Sequence, residues 1–262
     1  MIPTNDIRAW SNVVPWVSDE QIELDLVISR SLVEIFSDDY LSSQLAFRGG
    51  TAIHKLFLKP QSRYSEDIDL VQAESGPIKE IISRIQKKLA FIGKPVVKQK
   101  ANNNTLLFRF RSESISPVPL RLKVEINCRE HFSVLDYLEI PFSVSSRWFS
   151  GSANIRTYQL EELLGTKLRA LYQRKKGRDL FDIYKALMVS QLSVEGIIEC
   201  YHEYMRFVIR KVPTQKQYLL NLDEKLSDDD FINDTNFLLR PTEHYNPTDA
   251  YAFVKEKLLK GL

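Results

Sequence analysis

The sequence predicts an α+β protein in which a mixed sheet with flanking helices is followed by a C-terminal helical domain. Two observations support this fold class. Up to about residue 155, the hydrophobic pattern runs strand, helix, strand, helix and then further strands. From Tyr158 onward, nearly every segment has helical spacing instead. We therefore expect one domain at residues 1–155 and a second domain at residues 156–262.

The composition is that of an ordinary globular protein with no unusual bias. Of the 262 residues, 44% are hydrophobic and 27% are charged, which suffices for a core and a solvated surface. The net charge of +2 is small, so any nucleic-acid binding has to come from local basic patches. The only cysteines are Cys128 and Cys200, which form neither a disulfide framework nor a zinc pattern. With no signal peptide or membrane span visible, these features favour the cytoplasm.

The first long helix is predicted to begin at residues 18–21, whose letters SDEQ match a capping box. Ile22, Leu26 and Val33 lie among its apolar positions. We expect this helix to support the first strand from behind.

A pair of glycines then separates a strand from a helix. The apolar run at residues 45–47 is followed by Arg48 and by Gly49, Gly50 and Thr51, after which apolar residues recur at helical spacing. A strand that turns through glycines into a helix directs backbone N–H groups at open space, where they favour a phosphate. The pattern predicts an anion-binding turn.

The next strand carries two acidic residues. In the run DIDLV, alternation places Asp67 and Asp69 on one face and Ile68 and Leu70 on the other. Adjacent carboxylates repel each other unless a cation lies between them. Hard oxygen ligands of this kind suit Mg²⁺, which takes one or two carboxylates and fills its shell with substrate phosphates.

The rest of the sheet domain follows in order. A helix is predicted at residues 77–92, ended by Gly93 and Pro95. Alternating patterns then predict further extended segments at residues 96–99, 105–110, 120–126, 139–144 and 153–157.

Two motifs together resemble a known family. GGT at residues 49–51 and RYSEDIDL at residues 63–70 resemble the opening motif of the AbiEii/AbiGii toxin-type nucleotidyltransferases, of the DNA polymerase β-like superfamily. The resemblance covers about residues 45–190. It implies a polymerase β-like sheet and Mg²⁺-dependent transfer of an NMP group from an NTP to an acceptor hydroxyl.

The same resemblance implies roles for the residues of these motifs. Gly49, Gly50 and Thr51 would cradle the triphosphate, and Arg63 and Ser65 would contribute to the nucleotide site. The acids Asp67 and Asp69 would hold the metal.

Glu125 has two interpretations. It lies between Val124 and Ile126 on a predicted strand, which matches the setting of the superfamily's third carboxylate, a ligand in a site for two cations. The alternative is an exposed glutamate on an edge strand, paired with Lys123 or Arg121.

Lys167 lies in the leucine stripe of the first helix after the boundary. A lysine there must extend to solvent or meet an anion. The run KLRA at residues 167–170 resembles a family motif whose lysine holds nucleotide phosphates; the alternative is a residue at a frayed helix edge. If the ammonium is buried and unpaired, methionine at this position should not destabilise the protein.

The segment after this helix is basic and then acidic. Residues 174–178, RKKGR, predict either a solvated loop or a phosphate-binding rim. Arg178, Asp179 and Asp182 resemble the family's final motif, in which an acid begins a helix. We expect Asp179 at the flank of the core side, where it would anchor Lys167 or position the acceptor, or simply favour the first helical turn. Asp182 is expected nearer to solvent.

Residues 193–262 predict about four helices, with Ser193, Thr214 and Ser227 as N-caps.

The resemblance also implies a cognate winged-helix antitoxin and, as in some relatives, the tRNA 3′ end as acceptor. Two alternatives remain open. One is that the same fold transfers AMP to a protein hydroxyl or a phosphate to some acceptor, and the other is a non-catalytic nucleotide- or RNA-binding module.

Overall fold

The computed structural model describes residues 2–100, 102–113, 117–209 and 211–262. The chain forms two compact units. The first runs to Phe132 and also includes Tyr137–Tyr158, whereas the second consists of Ser133–Asp136 and Gln159–Leu262.

Three helices precede the sheet in the first unit: α1 (Thr4–Trp10), α2 (Asp19–Phe36) and α3 (Asp39–Gln44). Most residues of the central helix α2 are buried, and its main packing partner in the sheet is the strand Ser150–Tyr158, which pairs with the first strand. Its predicted capping box is wrong, since the Ser18 side chain caps no backbone amide and instead hydrogen-bonds the Glu20 carboxylate.

The first unit contains a seven-stranded sheet in the order β3-β4-β5-β2-β1-β7-β6 within the described residues. Its strands are β1 (Leu45–Arg48), β2 (Asp67–Gln72), β3 (Val96–Lys100), β4 (Asn103–Arg111), β5 (Pro119–Asn127), β6 (Tyr137–Ser145) and β7 (Ser150–Tyr158). The pairs β2–β5 and β1–β7 are parallel, and the other pairs are antiparallel. The predicted mixed sheet is confirmed.

One face of the central strands forms the core. Ile68, Leu122, Val124 and Ile126 are all completely buried on β2 and β5. Because side chains alternate along a strand, the acids on these strands project from the opposite face. The hydrophobic pattern thus determines which face can hold a polar site.

Between β1 and β2 the chain forms the short helix α4 (Gly49–Ala52), which continues as a π-helical turn (Ile53–Phe57). Lys55 anchors this turn, since its Nζ lies 2.8 Å from Asp25 Oδ2 on α2. The Asp25 carboxylate also accepts hydrogen bonds from the indole N–H groups of Trp10 and Trp16, each at 3.1 Å. A charged group this deeply buried is tolerated because its oxygens are satisfied.

The helix α5 (Ile78–Lys88) follows β2 and buries Ile81, Ile82 and Ile85. It is shorter than the predicted 77–92, because Leu89 already leaves helical geometry and the chain turns to Gly93 at φ +120°.

The second unit is helical, as predicted. It contains α6 (Leu160–Gln173), α7 (Gly177–Val189), α8 (Val194–Val208), α9 (Gln215–Leu226), α10 (Asp229–Asn233), α11 (Pro247–Lys257) and a 3₁₀ turn (Leu259–Gly261). Helices α6 and α8 approach closely at Gly165, where a Cβ would lie 2.6 Å from Cys200 Cβ.

The N-caps predicted at Ser193 and Thr214 are confirmed. The one predicted at Ser227 is wrong, since Asp228 caps α10. None of the helices among the described residues has the length and hydrophobicity that a bilayer crossing requires.

Candidate active site

The turn from β1 into α4 packs directly against Asp69. Gly49 has φ +80°, and a Cβ on it would lie 2.2 Å from Asp69 Oδ2. Only glycine combines this backbone conformation with so close an approach. The glycine therefore brings the backbone turn against a carboxylate of β2.

Gly50 leaves room for a different side chain. A Cβ on Gly50 would lie 2.2 Å from Arg63 Nη2, and Arg63 is only 2% exposed. The Arg63 guanidinium also donates from Nη1 to the Tyr64 carbonyl at 2.9 Å. Arg63 thus supports the turn from inside the protein, and its side chain is not presented to solvent.

Thr51 connects the glycine turn to the start of β2. Its buried hydroxyl donates to the Asp67 carbonyl at 2.5 Å and shares a hydrogen bond with the Ser65 hydroxyl at 2.7 Å. The hydrogen bonds of Thr51 to Ser65 and to the Asp67 carbonyl therefore fix the position of Asp67 at the start of β2.

The pairing of β2 with β5 brings the acidic residues together. In the parallel register, Asp67 lies opposite Lys123, and Asp69 lies opposite Glu125. Because residues two apart share a face of a strand, these four side chains line one surface of the sheet.

Lys123 joins two of the acids. Its Nζ lies 2.8 Å from Asp67 Oδ2 and 3.3 Å from Glu125 Oε2. Of the two cationic partners expected for Glu125, Lys123 is therefore the observed one, whereas Arg121 lies 3.8 Å from Glu66 Oε1.

The charges in this cluster are not balanced around Asp69. Burial, together with repulsion from Asp67 and Glu125, raises the pKa of Asp69 above its ordinary value, although Arg48 acts in the opposite sense. Burial alone would lower the pKa of Lys123, but its hydrogen bonds and charge attraction to Asp67 and Glu125 raise it. The cluster favours a further positive charge near Asp69.

The donor set fits a divalent cation held by two carboxylates. Asp67 and Asp69 supply hard oxygen ligands on one face, and Mg²⁺ accepts one or two such ligands with phosphates and water completing its shell. In the part of the chain that the structure describes, no three His, Cys, Asp or Glu side chains are arranged to hold an ion. The side chain of Glu125 is directed at Lys123, and its role as a third ligand stays a prediction.

Lys167 in the second unit lies in a buried cluster of its own. Its Nζ is 2.9 Å from Asp179 Oδ1 and 2.8 Å from Asp182 Oδ2, and both carboxylates are completely buried. Arg174 also binds Asp179, donating from Nε at 2.7 Å and from Nη2 at 2.8 Å.

Two expectations about this cluster are corrected. Asp182 is not nearer to solvent, because α11 packs against α7 and the Tyr245 ring lies against Phe181 beside it. Nor is the Lys167 ammonium unpaired, so methionine there would remove a cation that two buried carboxylates share. Although burial acts in the opposite sense, Lys167 and Arg174 hold the pKa of Asp179 below its ordinary value.

The basic run at residues 174–178 is not a free row of cations. Each of its four basic side chains lies in an ion pair with an aspartate of the second unit: Arg174 with Asp179, Lys175 with Asp228, and Lys176 and Arg178 with Asp234. Residues 174–176 nevertheless lie exposed in the loop between α6 and α7, so the structure leaves both alternatives open, a solvated loop and a phosphate-binding rim.

The sequence did not single out Arg48 or assign Lys123 a place in the site. Arg48 lies opposite Asp69 on β1 and forms an ion pair with Glu130 at 2.5 Å. The signal for Lys123 was its spacing, because a residue two before Glu125 on a strand shares its face.

Comparison with known proteins places these features in a family. Residues 30–256, most of the chain, match the family model described as nucleotidyl transferase AbiEii toxin, type IV toxin–antitoxin system. No curated protein matches the chain in sequence.

Two solved structures share the fold. MenT4, a nucleotidyltransferase toxin from Mycobacterium tuberculosis H37Rv, aligns with a TM-score of 0.63 at 14% identity, over 100% of this chain and 91% of that one. JHP933 from Helicobacter pylori aligns with a TM-score of 0.51 at 16% identity, over 81% of this chain and 92% of that one. Together with the family match, the motif residues observed on β2 and α4 lead to one conclusion. The chain belongs to the AbiEii family of nucleotidyltransferase toxins of type IV toxin–antitoxin systems.

Proposed function

We propose that this chain is a Mg²⁺-dependent enzyme that transfers an NMP group from an NTP to an acceptor hydroxyl and releases pyrophosphate. The observation that carries the proposal is the contact between the Gly49 turn and Asp69, with Asp67 beside it on the same face of β2. A phosphate-binding turn next to two metal-binding carboxylates is what a nucleoside triphosphate requires.

In the proposed reaction, the acceptor oxygen attacks the α-phosphorus while the bond from that phosphorus to the bridging oxygen breaks. The hydroxyl proton goes to solvent, and pyrophosphate leaves with the bridging oxygen. Bound Mg²⁺ would neutralise the charge that develops on the phosphate oxygens.

The residues of the first unit have distinct roles in this proposal. Asp67 and Asp69 hold the metal, and the backbone of Gly49 and Gly50 contacts the triphosphate. Thr51 and Ser65 position Asp67 through their hydrogen bonds, whereas Arg63 supports the turn from below.

Glu125, Lys167 and Asp179 keep the roles that the family resemblance implies. Glu125 is the candidate third carboxylate, and Lys167 is the candidate phosphate contact. For Lys167 to hold a phosphate, the phosphate must compete with Asp179 and Asp182 for the ammonium.

The acceptor and the partner are proposed from the family. We take the tRNA 3′ end as the acceptor and a winged-helix protein encoded alongside as the antitoxin. The same proposal places the protein in the cytoplasm, where NTPs and tRNA occur.

Labelled-nucleotide transfer tests this proposal. The protein is incubated with each α-labelled NTP, Mg²⁺ and either total bacterial RNA or total bacterial protein. We expect label in the tRNA fraction, and none after periodate has destroyed the 3′-terminal diol. Label in the protein fraction would instead support the alternative of a protein nucleotidylyltransferase, and no label in either fraction would contradict the proposal.

A further inference from the structure

Lys123 on β5 contacts two acids of the candidate site. Its ammonium lies between two carboxylates, 2.8 Å from Asp67 Oδ2 and 3.3 Å from Glu125 Oε2. We infer that Lys123 is an internal counter-ion that holds the acidic cluster together without metal and competes with the metal for it. This inference rests on the proposed function.

The contact of Lys123 with the two carboxylates follows from the register of the sheet. Lys123 lies directly opposite Asp67 in the parallel β2–β5 pair, and Glu125 lies two residues further along the same strand. The ammonium of a lysine at this position has both carboxylates within reach whenever β2 and β5 are paired.

The surrounding charges explain why a counter-ion is needed. Asp67, Asp69 and Glu125 place three carboxylates on one surface, and like charges this close repel one another. Arg48, the cation opposite Asp69 on β1, already forms an ion pair with Glu130. Lys123 therefore offsets much of the negative charge in the metal-free protein.

A metal ion and the ammonium compete for the same oxygen atoms. Mg²⁺ binds carboxylate oxygens at about 2.0–2.1 Å, and its own charge repels an ammonium held as close as this one. The Lys123 side chain is 33% exposed, so it can move away into solvent when the metal arrives. Metal binding then costs the Lys123 ion pairs and is weaker than the carboxylates alone would allow.

Replacing Lys123 tests both parts of its role, the stabilisation of the metal-free cluster and the competition with the metal. In the Lys123→Met variant without nucleotide, we expect a lower Tm in the absence of metal and an Mg²⁺ or Mn²⁺ affinity at least about tenfold tighter than in the wild type. Calorimetric titration measures the affinity, and the rise of Tm with metal concentration provides a second readout. Lys98→Met is the matched control, because Lys98 is an exposed lysine on β3 of the same sheet. It should match the wild type in metal affinity.

The outcomes distinguish this inference from the proposed function. Equal metal affinity in Lys123→Met and the wild type would overturn the counter-ion role and leave the metal site intact. Metal binding in neither protein would remove the metal site, and this inference with it. The added Asp69→Asn change should abolish the tighter binding, and tight binding that survives it would place the metal elsewhere and contradict the inference. If Lys123→Met does not fold, Lys123→Gln provides the same comparison with a polar side chain.

Discussion

Replacing Lys167 with methionine should destabilise the second unit, because the ammonium is the shared partner of two buried carboxylates. The Lys167 Nζ lies within 3 Å of both Asp179 and Asp182, and neither carboxylate is exposed. Methionine preserves most of the apolar stem, so the change removes mainly charge.

The size of the expected loss in free energy of unfolding depends on which ion pairs remain after Lys167 is replaced. Breaking a buried ion pair by removing one partner typically costs about 3–5 kcal/mol. Asp179 retains Arg174 at 2.7 Å, which places the expected loss near the lower end, at about 3 kcal/mol. Neutralising Asp182 in the same protein should recover about 1–3 kcal/mol through coupling, since the double variant removes both partners of the Lys167–Asp182 ion pair.

The pH dependence has a definite sign. Lys167 helps to hold the pKa of Asp179 below its ordinary value of 3.8, so this contribution is present above that value and is lost as the pH falls through the lower folded-state pKa. The difference in free energy of unfolding between the wild type and Lys167→Met should therefore be constant near neutral pH and become smaller below about pH 4.

Urea unfolding at pH 7 measures these free energies of unfolding. The variants are Lys167→Met, Asp182→Asn and the double variant, with Lys260→Met as a control for an exposed ion pair at the C-terminus. Wild-type stability in Lys167→Met, or a double variant that loses the full sum of the two single changes, would refute the buried-cluster account.

Two further predictions concern single residues of the first unit. Burial raises the pKa of Glu23 from 4.5 to about 7, and its Oε2 accepts a hydrogen bond from the backbone N–H of Glu113 at 3.0 Å. A raised folded-state pKa stabilises the protein below pH 4.5 and loses that stabilisation as the pH rises to 7, so Glu23→Gln should gain up to about 3 kcal/mol over the wild type at pH 8 and nothing at pH 4. Parallel urea curves at the two pH values check this, and an equal gain at both would contradict it. Thr51→Val keeps the side-chain shape but removes the bonds to Ser65 and the Asp67 carbonyl, so it should cost about 1–3 kcal/mol in chemical unfolding and reduce transfer, whereas unchanged stability would show that these bonds do not position Asp67.

The sequence was sufficient where a local pattern determines the structure. Alternation predicted the strand at residues 120–126, and Val124 and Ile126, the apolar neighbours of Glu125, are indeed buried on β5. The paired glycines likewise predicted the turn before α4, because few other residues tolerate φ +80° at Gly49.

The sequence was insufficient where distant segments meet. Asp182 was expected nearer to solvent because a helical pattern defines one core face, but α11 covers a second side of α7. The contact of Lys123 with Asp67 depends on the β2–β5 register, which joins segments separated by the whole of α5, β3 and β4. The periodicity of a single segment predicts neither the packing of α11 on α7 nor the register of β2 with β5.

Arg63 packs beside Gly50, a contact that its motif did not predict, and its role in the nucleotide site stays a prediction. The limit on local patterns also applies to Ser18. At Ser18 the letters matched a capping box, but the hydroxyl bonds the Glu20 side chain instead of a backbone amide.

The central claim is that Asp67 and Asp69 hold the metal for transfer of an NMP group, and comparing α-labelled with γ-labelled NTP tests it most directly. With Mg²⁺ and total RNA, the wild type should transfer the α label but not the γ label, and EDTA should abolish transfer. Asp69→Asn should lose at least about 10²-fold in rate while its metal-free Tm is unchanged or higher, because burial and Asp67 disfavour the charge on Asp69. Glu139→Gln, an exposed acid on β6, should behave as the wild type. Transfer of the γ label, or near-normal α-label transfer by folded Asp69→Asn, would contradict the account.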